Sequence, residues 1–154
     1  MPEIILKNKE KIIDPLIKRI TSFIFSTNKN GSKCLIQCRD KFLLVRIDYA
    51  HKLWTIPGGK LKKNETYEEA VRREVKEEVG VSLRNVRKIG EHVIKADDQQ
   101  FTVEIFHSTV EDYSFAVDGR EIREACWFSR EDMPKERGQW VDIAFGMLEE
   151  QHGK

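Results

Sequence analysis

Apolar residues recur along this chain with two different periods, and the switches between them mark out the elements. After Asp14-Pro15, which reads as a helix N-cap followed by proline at the first helical position, Leu16, Ile20, Phe23 and Ile24 fall at helical spacing. That pattern predicts a short amphipathic helix, with a strand over 21–27 as the competing reading. Asn28 to Ser32 then reads as a turn or short linker. From Lys33 the period becomes two. Cys34 to Cys38 and Phe42 to Ile47 flank Arg39-Asp40-Lys41 and predict a β-hairpin, and Leu53 to Ile56 predicts a further short strand.

A second helix is written more plainly. Pro57-Gly58-Gly59 cannot sit inside a regular helix, so it predicts a loop. Thr66 followed by Glu69 is a capping box, the run to Val79 holds no proline or glycine, and Gly80 stands where a left-handed residue ends a helix. Beyond it, Val86 to Lys95 and Phe101 to Val110 predict two strands joined by a polar turn containing Asp97 to Gln100. Asp112 to Glu124 is acidic and turn-like, and Ala125 to Phe128 is a strand. Trp140, Ile143, Ala144, Met147 and Leu148 give a closing helix with an apolar stripe against the sheet.

At about 100° per residue, the helix from Thr66 to Val79 places Val71, Val75 and Val79 on one stripe. Glu77, Ala70, Glu74 and Glu78 form a second stripe beside it, and Glu68, Arg72, Lys76 and Glu69 face solvent. An acidic triplet on a charged helix is usually solvated surface. Here Glu74, Glu77 and Glu78 lie at i, i+3 and i+4 next to the buried stripe, so like charges repel unless a cation neutralises them. Three carboxylates on one patch suit a hard divalent ion, Mg²⁺ or Mn²⁺.

Gly59, Glu65, Arg73-Glu74-Val75, Glu77-Glu78 and Gly80-Val81 together resemble the Nudix box at every fixed position and with its spacing. The similarity extends more weakly from about Lys33 to Pro134. It implies an α/β fold, the Nudix-type α/β/α sandwich with a central mixed sheet, in a domain over residues 33–154 preceded by an N-terminal extension over residues 1–32. It further implies that Glu74, Glu77 and Glu78 hold the catalytic metals with the backbone carbonyl of Gly58, and that Arg73 orients them by pairing with Glu65 and the Glu77 side of the cluster. The implied reaction is hydrolysis of a phosphoanhydride in a nucleoside diphosphate linked to another group, such as a nucleoside triphosphate, an oxidised nucleotide or an RNA 5′ end. Family members often add a carboxylate in or just before the strand at Ala125; Glu121 and Glu124 are the candidates, with Glu104 and Asp118 as outsiders. In the segment lining the cleft, Arg46 is a candidate for meeting a phosphate and Tyr49, His51 and Trp54 for stacking on a base. An ordinary surface or core role is as good a reading for each. Lys60, on the metal loop, is the stronger phosphate candidate.

Substrate branches are narrowed by absences. No proline or tyrosine lies between Glu91 and Gln100, which disfavours the ADP-ribose and dinucleoside-polyphosphate branches, and the cysteine-rich zinc ribbon of the NADH-cleaving branch is missing. Two other classes stay open: a non-catalytic nucleotide-sensing module of the same fold, and an isopentenyl-diphosphate-type isomerase. The intact set of Arg73, Glu74, Glu77 and Glu78 argues against the first. The second requires a reactive cysteine and a differently composed metal site.

The 154 residues suffice for one domain with a single sizeable core. With 27 basic and 26 acidic residues, the net charge of +1 gives no case for bulk electrostatic binding to nucleic acid or an anionic membrane. Cys34, Cys38 and Cys126 form no C-x-x-C pair, and Cys34 and Cys38 share one face of a strand as small apolar residues, which fits a reducing cytoplasm. The first residues carry too short an apolar run for a secretory signal, and no stretch approaches the ~20 residues of a membrane span. The apolar face of the N-terminal helix is expected to pack on the domain or on a second subunit, the latter giving a homodimer.

Overall fold

A computed structural model describes residues 29–47 and 53–154. The predicted N-terminal helix, Tyr49 and His51 lie outside the described residues. The elements in chain order are β1 (Gly31–Cys38), β2 (Lys41–Ile47), β3 (Trp54–Thr55), β4 (Gly58–Lys60), α1 (Tyr67–Val79), β5 (Asn85–Ala96), β6 (Gln99–Thr109), β7 (Ile122–Ser129) and α2 (Gln139–His152). The strands form one seven-stranded sheet in the order β3-β2-β1-β6-β5, with β4 also pairing β1 and β7 also pairing β2. The sheet is mixed, because β1 and β6 run parallel while the other pairs are antiparallel.

Helices cover both faces, and this is why the central strands carry continuous apolar runs. On one face Cys34, Ile36, Leu43 and Val45 pack with Val71, Val75 and Val79 of α1. On the other, Leu35, Phe42, Leu44 and Ile56 pack with Val141, Ala144, Phe145 and Leu148 of α2. The α2 seam differs from the sequence expectation. Val141 and Phe145 are buried with Ala144 and Leu148, while Ile143 is half-buried and Trp140 and Met147 flank the cluster. Phe145 sets this rotation by meeting Phe42 edge-on, with ring centroids 4.8 Å apart. Gly90 lets α2 come close, since a Cβ there would lie 2.6 Å from the Met147 sulfur.

Several boundaries move from their predicted places; Gly58 and Gly59, read as loop, form β4, and β7 opens at Ile122 instead of Ala125. Gly31 and Ser32, read as part of a turn, open β1 because they pair with Lys60 and Gly59 of β4. The β5–β6 turn tightens to Asp97-Asp98, and Gln99 and Gln100 pair with Ala96 and Lys95. Asp97 takes a left-handed φ of 53°, a conformation aspartate tolerates, and this permits the two-residue turn. β3 shortens to two residues as Ile56 leaves the strand for the α2-side core.

Beside β1 the neighbour changes partway along. Residues 31–33 pair with β4 and residues 36–38 pair with β2. The chain at Pro57 closes this fork through its carbonyl, which accepts from Cys34 N–H at 2.9 Å.

Candidate active site

The loop before α1 closes onto β1 because two glycines let it. Gly58 has φ of 148°, and a Cβ there would sit 2.2 Å from the Ser32 carbonyl oxygen; at Gly59 a Cβ would lie 2.5 Å from the Glu74 carboxyl carbon. The loop backbone thus lies directly on the helix carboxylates. Gly58 N–H donates to Glu78 Oε2 at 3.1 Å.

The start of α1 is fixed by the predicted capping box: Glu69 N–H donates to Thr66 Oγ1 at 3.1 Å, and Thr66 N–H to Glu69 Oε2 at 2.8 Å. Gly80 ends the helix with φ of 69°. Between these caps, Arg73 is the hub. Its Nε and Nη2 donate to the two oxygens of Glu65 at 2.7 and 2.9 Å, its Nη1 to Glu74 Oε1 at 2.7 Å, and its Nη2 also to the Lys60 carbonyl at 3.0 Å. A longer contact of 3.4 Å reaches Glu77. The Arg73 hydrogen bonds hold the Glu65 carboxyl below the usual carboxylate range against the opposing effect of burial. One planar cation therefore ties the loop, the helix and a cluster carboxylate together.

Glu74 and Glu78 are only 4% and 6% exposed, and each offers an oxygen that lies, with one from Glu121, within a mutual 4.8 Å. Glu121, half-buried, enters from the residue immediately before β7. Burial, then the charge of Glu74, pushes the Glu78 carboxyl up to about 8; Lys33 and the Gly58 N–H pull the other way, and Glu121 adds a further push. Burial and the neighbouring carboxylates together disfavour a full set of charges on the cluster. Its donors are all carboxylate oxygens, the set a hard divalent cation takes, so these residues fit Mg²⁺ or Mn²⁺.

The triplet expected from the helix wheel is not the triplet that meets. Glu77 lies about 60° to the solvent side of Glu74, whereas Glu78 lies about 40° to the core side. With its side chain 40% exposed, Glu77 turns to Arg73 and stands outside the group of three carboxylates. Of the two added candidates, Glu121 joins the cluster and Glu124 does not. Glu124 sits opposite Arg46 across β7 and β2 and forms an ion pair with it. Arg46 in turn lies 5.3 Å over the Trp54 ring, and Trp54 meets Phe128 edge-on. Arg46, Trp54 and Glu124 are therefore one neighbouring assembly. Lys60 contributes its carbonyl to Arg73.

Sequence reasoning passed over Lys33. It lies opposite Gly58 in the β1–β4 register, donates to the Ile56 carbonyl at 3.4 Å, and holds its ammonium 5.8 Å over the Trp140 ring. Burial lowers its pKa, while the charges of Glu78 and Glu74 raise it. The signal in the sequence is a lone cation at the head of an apolar strand.

A mixed sheet between two helices, with buried carboxylates tied to a glycine segment by an arginine, defines an α/β/α sandwich built around an acidic cluster. The chain belongs to the Nudix family: the NUDIX domain profile matches residues 18–149. The NAD-capped RNA hydrolase NudC of Salmonella heidelberg (strain SL476) is 29% identical over 100 residues, which is 64% of this chain and 38% of that protein. The chain thus spans well under half the length of the curated relatives it matches. The MutT NUDIX hydrolase from Burkholderia pseudomallei superposes with a TM-score of 0.69 at 23% identity, covering 77% of this chain and 95% of the other. The NUDIX domain of Shewanella oneidensis NrtR, solved with ADP ribose, gives a TM-score of 0.69 at 15% identity, covering 95% and 97%. Among the described residues no helix is long and apolar enough to cross a membrane.

Proposed function

We propose that this chain is a divalent-metal-dependent pyrophosphohydrolase acting in the cytoplasm on a phosphoanhydride of a nucleoside diphosphate linked to another group. The observation that carries this reading is the convergence of Glu74, Glu78 and Glu121, with Glu74 held by Arg73. Glu74, Glu78 and Glu121 would hold Mg²⁺ or Mn²⁺ from the protein interior, with Glu77 and the Gly58 carbonyl as further donors at the rim. When bound, such an ion offsets phosphate charge and lowers the pKa of water.

The protein's own part is positional and acid–base. Arg73 fixes the Glu74 carboxylate, and through Glu65 and the Lys60 carbonyl it fixes the loop against the helix. The Gly58 N–H holds one Glu78 oxygen and so fixes that carboxyl group against the glycine segment. Glu121 stands at the cluster while Glu124 is paired with Arg46, and this makes Glu121 the better choice of the two for accepting a proton from the attacking water. Lys60 supplies a cation on the metal loop, and Arg46 with Trp54 supplies a second cation beside an aromatic face.

Substrates to assay are nucleoside triphosphates, oxidised nucleotides, triphosphorylated RNA 5′ ends and, from the likeness to NudC, NAD-capped RNA. Phosphate, pyrophosphate and nucleotide release with Mg²⁺ is measured beside Glu78→Gln. Turnover of one class by the wild type, reduced at least about a hundredfold in the variant, is the expected result. Equal turnover by both proteins removes the reading.

A further inference from the structure

The fork in the sheet beside β1 brings one charged side chain to the site from the side opposite α1. Lys33 and Leu35 share a strand face, and Leu35 packs in the α2-side core. Yet Lys33 pairs with Gly58, whose N–H holds Glu78, and it donates to the carbonyl of Ile56, the residue that leads into the glycine loop. Its ammonium and the carboxylates of Glu74 and Glu78 act on one another. Among the described residues its hydrogen bond to the Ile56 carbonyl is long, at 3.4 Å, and its other support is the face of Trp140 in the first turn of α2. Trp140 is itself braced by the edge of His92, with ring centroids 5.6 Å apart.

A half-buried lysine in an apolar strand costs desolvation, and one long hydrogen bond with one aromatic face returns only part of that cost. A divalent cation among Glu74, Glu78 and Glu121 would consume the negative charge that attracts Lys33. The ammonium then needs another anion, and a phosphate bridging to the same cluster supplies it. We infer that Lys33 is a phosphate-binding residue of the substrate cleft, gripping from the α2 side a phosphate that the acidic cluster meets from the α1 side. Trp140 is its positioning residue, holding the ammonium over the fork.

This assignment rests on the pyrophosphohydrolase reading, and its test separates the two. Binding of α,β-methylene-ADP and of inorganic pyrophosphate, each with Mg²⁺, is measured by calorimetry on the wild type, Lys33→Met, Lys33→Arg, Trp140→Leu and the double variant Lys33→Met/Trp140→Leu, with thermal melts to establish folding. Expected are about a tenfold or greater loss for both probes in Lys33→Met, recovery of most of it in Lys33→Arg, and a double variant within about twofold of Lys33→Met alone. KM for the substrate found in the panel rises with the loss of binding. A wild type that turns substrate over while Lys33→Met binds both probes and substrate normally overturns this assignment and leaves the enzymatic reading standing. A double variant whose two losses simply multiply overturns the role of Trp140. A wild type that neither binds the probes nor turns over any nucleotide overturns both.

Discussion

Arg73 reaches Glu65 with two parallel hydrogen bonds, 2.7 and 2.9 Å, on a pair whose side chains are only 19% and 13% exposed. The same guanidinium holds Glu74, so the geometry of the acidic cluster depends on a residue that does not belong to it. Lysine at position 73 keeps the charge but cannot make the fork-to-fork contact. Arg73→Lys is expected to lower stability by about 1–2 kcal/mol in urea unfolding and to reduce turnover by roughly 10–100-fold. Unchanged turnover would show that the cluster does not need this anchor.

The two loop glycines fail differently. Alanine at Gly58 meets the backbone at the Ser32 carbonyl and must hold φ of 148°, so Gly58→Ala is expected to destabilise by about 3 kcal/mol. Alanine at Gly59 meets a movable side chain, the Glu74 carboxylate. Gly59→Ala is therefore expected to lose most activity and Mg²⁺ affinity at a stability cost of only about 1 kcal/mol. Paired denaturation and metal titrations check both.

Glu121 and Glu124 are separated by their partners. Glu121→Gln removes a cluster oxygen and is expected to lower turnover about a hundredfold. Glu124→Gln releases Arg46 and changes KM with little effect on kcat. Steady-state kinetics on the two variants distinguishes these outcomes.

The lifted Glu78 pKa gives a pH dependence of definite sign. Between the ordinary carboxylate range and about pH 8, the folded protein holds a proton that the unfolded chain releases, so metal-free stability falls as pH rises through this window. Mg²⁺ must displace that proton, and its stabilising effect grows over the same interval. Melting curves from pH 5 to 8.5, with Mg²⁺ and with EDTA, are expected to diverge toward high pH. Glu78→Gln is expected to flatten the EDTA curve. Glu65 acts oppositely: its depressed pKa contributes stability at neutral pH that is lost as acid protonates it.

Much of the site was legible in sequence because local chemistry wrote it. The Thr66–Glu69 box and Gly80 fixed both ends of α1, whereas Gly58 and Gly59, read as part of a loop, pair with β1 as β4. The strand and helix patterns predicted the elements, the sandwich was implied by the resemblance to the Nudix box, and the structural likenesses at TM-scores of 0.65 to 0.69 show the same fold. What the sequence left open depends on tertiary placement. Helical spacing groups Glu77 with Glu74 and Glu78, but only the position of the core boundary turns Glu77 outward and leaves room for Glu121. The choice between Glu121 and Glu124 was decided by the β2–β7 register, which sets Glu124 against Arg46. Lys33 was invisible as a site residue because its proximity comes from a fork between non-adjacent strands.

Anomalous diffraction from a crystal soaked in Mn²⁺ is the most direct measurement. A peak between the carboxylates of Glu74, Glu78 and Glu121, beside the Gly58 loop, is the predicted result. No peak there, with the three side chains splayed into solvent, would contradict the metal site and the hydrolysis built on it.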